Sequence, residues 1–259
     1  MKRRVGIAGV RCGMTLNNAA QAVSFLVWLN QQFPHDPAVL YLSTHVYSDL
    51  SVRASNELLA TAPGSAEVHE LNAEAQETMG KWKEAADEYR AVLAKNPNMP
   101  GMHYRLGRLL LSQPDPPQSV KDDAKKEFEE ELKVDPSNAG AEFVLGELAR
   151  QNEQWPDAIA HFSRAVKLDA GFVDAYIGLG RSYLGADKFV DAVPPLETAE
   201  KLQPDNLVVH FHLATAYRRA GRKADADREM AAQRQVSDKA QKTADEVKKQ
   251  ITGGEVDKP

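Results

Sequence analysis

The sequence predicts an all-α chain: an α-solenoid of stacked antiparallel helix pairs with a capping helix at its carboxyl end. Two series of small residues carry this reading. Ala85, Ala124, Ala158, Ala192 and Ala226 lie 39, 34, 34 and 34 residues apart, and Ala73, Gly107, Gly146, Gly180 and Ala214 run 12 or 17 residues ahead of them. A third observation is negative: no alternating β-branched run of useful length appears, and glycine and proline fall mostly between helical stretches. Two helices alone bury only part of their apolar surface, so each unit must stack on the next, and the 259 residues form one continuous array.

One unit shows why the pattern folds this way. Between Val173 and Pro204, Tyr176, Leu179, Gly180 and Tyr183 recur at helical spacing and form the stripe of a first helix. Glycine there costs roughly 1 kcal/mol of helix propensity relative to alanine, so its recurrence demands a packing reason: a neighbouring helix approaches closely. Ala192, Leu196 and Ala199 share one face of the second helix, and Pro204 then ends it.

The remaining slots keep the same ruler. Leu106, Leu145, Leu179 and Leu213 stand one residue before the small slot, and Leu110, Ala149, Tyr183 and Tyr217 three after it. Tyr89, Phe128, Phe162, Leu196 and Met230 fall four after the alanine series, and Pro97, Pro136 and Pro204 twelve after it, with Ala170 the exception. From Ala66 to about Ala240 this order resembles the tetratricopeptide repeat family. The resemblance implies a right-handed solenoid whose first helices line a concave groove that binds protein or peptide partners.

Taken in chain order, residues 1–18 are expected to be irregular, being rich in glycine and poorly patterned. Residues 19–34 read as the second helix of a partial repeat, with Ala22, Leu26, Leu29 and Pro34 spaced like Ala85, Tyr89, Val92 and Pro97, as if the array had once begun further upstream. Residues 35–65 read as a shortened two-helix unit, Val39, Leu42, Ser43 and Val46 on one helix and Val52, Ser55, Leu58 and Leu59 on the next. Repeats follow at 66–99, 100–138, 139–172, 173–206 and 207–240; the second gains five residues around Ser112 to Pro117, where proline density makes a loop. Residues 241–259 supply the end of the capping helix, edged by Ala244, Val247 and Ile251, and a frayed tail from Gly253 to Pro259.

Composition narrows the function. A formal charge of -5 with scattered lysine and arginine leaves no basic stripe for nucleic acid. The single cysteine, Cys12, excludes an internal disulfide, and no apolar run reaches the roughly 18 to 20 residues that span a bilayer. Lys2, Arg3 and Arg4 resemble a signal-peptide start, but the apolar stretch Val5 to Val10 stops short at Arg11. A cytoplasmic location is expected, with the periplasm as the alternative.

The seven histidines, among them His210 and His212, show no metal-ligand spacing and read as surface or packing residues. Gly178-Leu179-Gly180-Arg181-Ser182-Tyr183 lacks the third glycine and the strand of a dinucleotide loop. No nucleophile elbow or carboxylate pair stands out, so the chain is expected not to be an enzyme and to need no cofactor or metal.

The groove slots lie three before, one after and four after the small residue, on one helix face. They hold Glu70, Glu74 and Glu77 in the first full repeat, then Tyr104, Arg108 and Leu111, then Phe143, Glu147 and Arg150. The last two repeats supply Ile177, Arg181 and Leu184, then Phe211, Thr215 and Arg218. Tyr104, Phe143, Ile177 and Phe211 are therefore candidate apolar anchors, and Arg108, Arg150, Arg181 and Arg218 candidate selectors for an acidic partner. The opposing reading packs the apolar residues sideways against the next repeat and pairs the arginines with Glu147 or neighbouring acids. In family members that clamp chaperone peptides these slots carry lysine and asparagine; here they hold Arg108 and Arg181.

The expected role is a non-catalytic scaffold or adaptor for a protein or peptide bearing apolar and acidic groups. The alternatives are an accessory segment of a larger multi-repeat machine, serving as spacer or self-association element, and an exported repeat protein.

Overall fold

A computed structural model describes residues 1–253, with side chains described through Lys248; past Gly253 the expected frayed tail lies outside the described residues. Among these the chain forms thirteen α-helices and no strand. It divides into two compact units, Met1–Lys95 and Asn96–Pro259.

The first unit contains α1 (Lys2–Thr15), α2 (Ala19–Gln32), α3 (Pro37–Thr61), α4 (Ala66–Thr78) and α5 (Trp82–Lys95). Helix α1 corrects the expectation of an irregular start, and its glycines explain the correction. Gly6, Gly9 and Gly13 share the face turned to α2, where an added Cβ would lie 2.7 Å from the Leu29 side chain, the Phe25 ring and the Ala22 backbone nitrogen respectively. The propensity cost of roughly 1 kcal/mol per glycine is offset by a close helix contact and a shared core of Val10, Leu26, Leu29, Val39 and Val46.

Helix α3 corrects a second expectation, since one continuous helix replaces the shortened pair. It starts sharply: Asp36 accepts hydrogen bonds from the amides of Ala38 and Val39 at 3.0 and 3.1 Å, and Pro37 opens the first turn. No glycine or proline follows until Pro63, so nothing breaks the helix where the turn was expected. Its buried residues, Val39, Ser43 and Val46, all lie in the first half.

The second unit contains α6 (Met102–Leu111), α7 (Gln118–Val134), α8 (Ala139–Gln151), α9 (Trp155–Leu168), α10 (Val173–Gly185), α11 (Phe189–Leu202), α12 (Leu207–Arg219) and α13 (Lys223–Gly253). They pack as successive hairpins, α6 with α7 through α12 with α13, and each hairpin contacts the next. The last helix runs without interruption through residue 240. Ser112 to Pro117 forms the loop between α6 and α7.

The small slots do what their recurrence demands. A Cβ added at Gly107 would sit 2.9 Å from the Phe128 ring, at Gly146 2.9 Å from the Phe162 ring, and at Gly180 2.4 Å from Leu196 Cγ. In these three hairpins the glycine of the first helix therefore faces the residue four after the alanine of the second.

Helix α6 is capped from outside. Gly101, at φ 82°, precedes it and has no side chain to offer. The fully buried Glu131 of α7 supplies the missing acceptors: Oε1 takes the Gly101 amide at 2.7 Å and Oε2 the Tyr104 amide at 3.1 Å, while Asn138 Nδ2 donates to Oε1 at 3.2 Å. The carboxylate also meets the positive end of the helix dipole.

Two substitutions test these contacts. Gly180→Val is expected to lower stability by about 1–3 kcal/mol through overpacking against Leu196, read as a lower urea midpoint. Glu131→Ala is expected to cost about 2–3 kcal/mol by leaving buried amides without acceptors, with the α6–α7 hairpin losing amide-exchange protection first.

Candidate functional site

In the second unit the first helices α8, α10 and α12 contact one another side by side and form the inner row on which most groove slots fall. Helical spacing puts the slots on a common face; packing decides which remain open.

Most of the expected anchors are covered. Tyr104 is half-buried, its ring edge-on to Phe128 at 5.6 Å between centroids, and its hydroxyl reaches Gly140 at the start of α8. Phe143 lies between Phe162 at 5.7 Å and Phe172 at 4.8 Å. Ile177 is 7 % exposed in a cluster with Val173, Ala199 and Val209, which corrects its assignment as a surface anchor. Each of these side chains is closed over by the repeat that follows. Phe211, 55 % exposed, stands on α12 with the His212 ring edge-on to it at 5.2 Å.

The arginines divide in the same way. Arg150 is bound to Glu147 through Nε at 3.1 and 3.2 Å and Nη2 at 2.7 Å, the pairing that the opposing reading anticipated. Arg218 is exposed and its Nη2 reaches the Met230 sulfur at 2.6 Å. Arg108 is exposed. Arg181 is half-buried, and among the described residues its guanidinium has no hydrogen-bond or ion-pair partner.

His212 marks where this charge accumulates. Burial first, then the charges of Arg181 and Arg150, hold its pKa down to about 4. The ring is therefore neutral at pH 7, and two guanidinium groups from α8 and α10 act on one point of α12. Sequence reasoning missed His212 because it stands two residues before the small slot, outside the three slots assigned to the groove.

A second missed pattern runs through the hairpins. His69 Nδ1 lies 2.6 Å from Glu88, His103 Nδ1 2.7 Å from Glu127, and His210 Nδ1 2.8 Å from Glu229. All three histidines stand four residues before the small slot and all three glutamates three after the alanine. In α8 and α9 the pair is reversed: Glu142 occupies the histidine slot and meets His161 at 2.6 Å. The signal was present in the sequence as a fixed offset, visible only when both series are read together.

His212 gives a direct check on the charge cluster. Its depressed pKa means that between about pH 6.5 and 4 the unfolded chain takes up a proton the folded ring refuses, so His212 lowers stability as pH falls through that window. Arg181→Ala should move the His212 titration upward toward the ordinary value, followed by the ring proton shifts in NMR.

Comparison with known proteins places this geometry. A family model described as a tetratricopeptide repeat matches residues 71–122, 118–171 and 177–233, more than half of the chain. Among solved structures, a MamA protein superimposes with a TM-score of 0.62 at 21 % identity, covering 68 % of this chain and 94 % of that one. MamA residues 41 to the end from Desulfovibrio magneticus RS-1 give 0.60 at 19 %, covering 67 % and 96 %. YrrB, described as a TPR protein with an unusual peptide-binding site, gives 0.60 at 16 %, covering 71 % and 92 %. At these identities the likeness is one of fold. No curated protein matches the chain. Among the described residues no helix is long and apolar enough to cross a membrane.

Proposed function

The chain belongs to the tetratricopeptide repeat family, and from that premise we propose that it is a non-catalytic scaffold that holds an acidic segment of a partner protein against the inner row of α8, α10 and α12. The observation that carries the proposal is the half-buried Arg181 guanidinium, without an acceptor among the described residues, beside Arg150 and a neutral His212. A guanidinium placed there lacks the carboxylate that bidentate pairing favours, and a partner's Asp, Glu or terminal carboxylate supplies it. Phe211 offers an apolar contact at the end of the row.

This reading keeps Arg181 and Phe211 from the eight residues expected at the surface and gives Tyr104, Phe143 and Ile177 to the wall behind them. Arg150 contributes charge while already bound to Glu147. Arg108 and Arg218, both exposed, extend the positive edge.

The proposal predicts that acidic peptides bind and neutral isosteres do not, measured by fluorescence polarisation. Arg181→Glu should weaken binding about tenfold or more, equivalent to about 1.4 kcal/mol, and Phe211→Ala by a smaller factor, with circular dichroism unchanged. Binding should tighten as pH falls below 6, because a bound carboxylate offsets the arginine charges and lets His212 take up its proton. Equal binding by wild type and Arg181→Glu would remove the proposed groove and leave the spacer reading.

A further inference from the structure

The α11–α12–α13 junction holds a group of three side chains that the proposed scaffold role does not use. We propose that Glu200, His210 and Glu229 form a binding site for one divalent transition-metal ion, zinc in class.

Each ligand comes from a different helix, and the imidazole nitrogen and carboxylate oxygens lie within 4.8 Å of one another. His210, only 3 % exposed, is fixed by a hydrogen bond from Nε2 to the Pro204 carbonyl at 2.7 Å. A carbonyl can only accept, so Nε2 carries the hydrogen and Nδ1 is the nitrogen turned toward the carboxylates. There Glu229 Oε2 stands at 2.8 Å and Glu200 Oε1 at 3.9 Å. At 2.8 Å the nitrogen and the carboxylate oxygen share a proton as they stand, and a metal ion takes that proton's place when Glu229 shifts outward by a fraction of an ångström.

The second carboxylate favours the metal. A proton on Nδ1 serves Glu229 alone, whereas Glu200 brings a second carboxylate to the same point. A divalent ion neutralises both. One imidazole nitrogen and two carboxylate oxygens are a zinc donor set, with bonds of about 2.0–2.2 Å and a fourth position for water. Glu200, whose side chain is 33 % exposed, has freedom to swing the remaining distance.

The other hairpins show how the site differs from a plain His–Glu pair. His69 and His103 each face one carboxylate, and the second oxygen of Glu142 beside His161 is closed by Arg164 Nε at 2.6 Å. Among the described residues only the group at His210 brings a third ligand within reach.

The test is a zinc titration of the untagged full-length chain by calorimetry, with the visible absorption of bound cobalt as a second measurement. The expected result is one saturable site that Glu200→Gln weakens roughly tenfold or more while leaving circular dichroism unchanged, and that Glu88→Gln does not affect. Tetrahedral cobalt bands lost in Glu200→Gln would place the ion at these ligands. Equal zinc affinity in wild type and Glu200→Gln, or no saturable binding, would overturn the proposal and leave a proton as the occupant.

Discussion

Everything in the second unit depends on how near the two helices of a hairpin can come at one point. Gly107, Gly146 and Gly180 leave no room for a methyl group beside Phe128, Phe162 and Leu196. That approach fixes the mutual rotation of the helices, and with it the partners above and below the contact. Glutamate and histidine meet at the same relative position in four hairpins, whether the small slot is glycine, as at Gly107 and Gly146, or alanine, as at Ala73 and Ala214. In the first unit α1 and α2 use the same device with three glycines instead of one.

The same register determines what the inner row can offer. A residue three before the small slot points along the stack as well as inward, so the following hairpin helps to cover it: Phe143 packs on the cluster that holds Ala175 and Leu179 of α10, and Ile177 clusters with Val209 of α12. Apolar side chains at this slot build the wall, and among the described residues Phe211 on α12 stays open. Charge behaves differently. Arg181 is half-buried on a largely buried helix, and among the described residues its guanidinium has no acceptor.

Much of this was readable in the residues, and the failures have definite causes. From α4 onward the small slot, the bulky slot and the closing proline each report one packing contact, so their spacing translates directly into hairpins. Helix α1 was missed because a glycine that weakens an isolated helix and one that admits a neighbour are the same letter; only Phe25, Trp28 and Leu29 on α2 distinguish them. Helix α3 runs on because no glycine or proline between Val46 and Val52 breaks it, and repeat spacing does not carry that information. The anchors failed at Phe143 and Ile177 because helical period tells which side chains share a face and says nothing about what lies on it. The charge at His212 comes from α8 and α10 and acts on α12, so it has no signature in any one helix.

The reversed pair at Glu142 and His161 shows that the hairpin is indifferent to which helix bears the base and which the acid. Passing from one arrangement to the other by single exchanges requires an intermediate with either two carboxylates or two rings face to face. Arg164, held against Glu142 in this hairpin, supplies a counter-charge for the doubly acidic intermediate and nothing for the doubly basic one. The two orders are thus joined here through the doubly acidic intermediate alone, and a residue lying outside the pair decides which crossing is open.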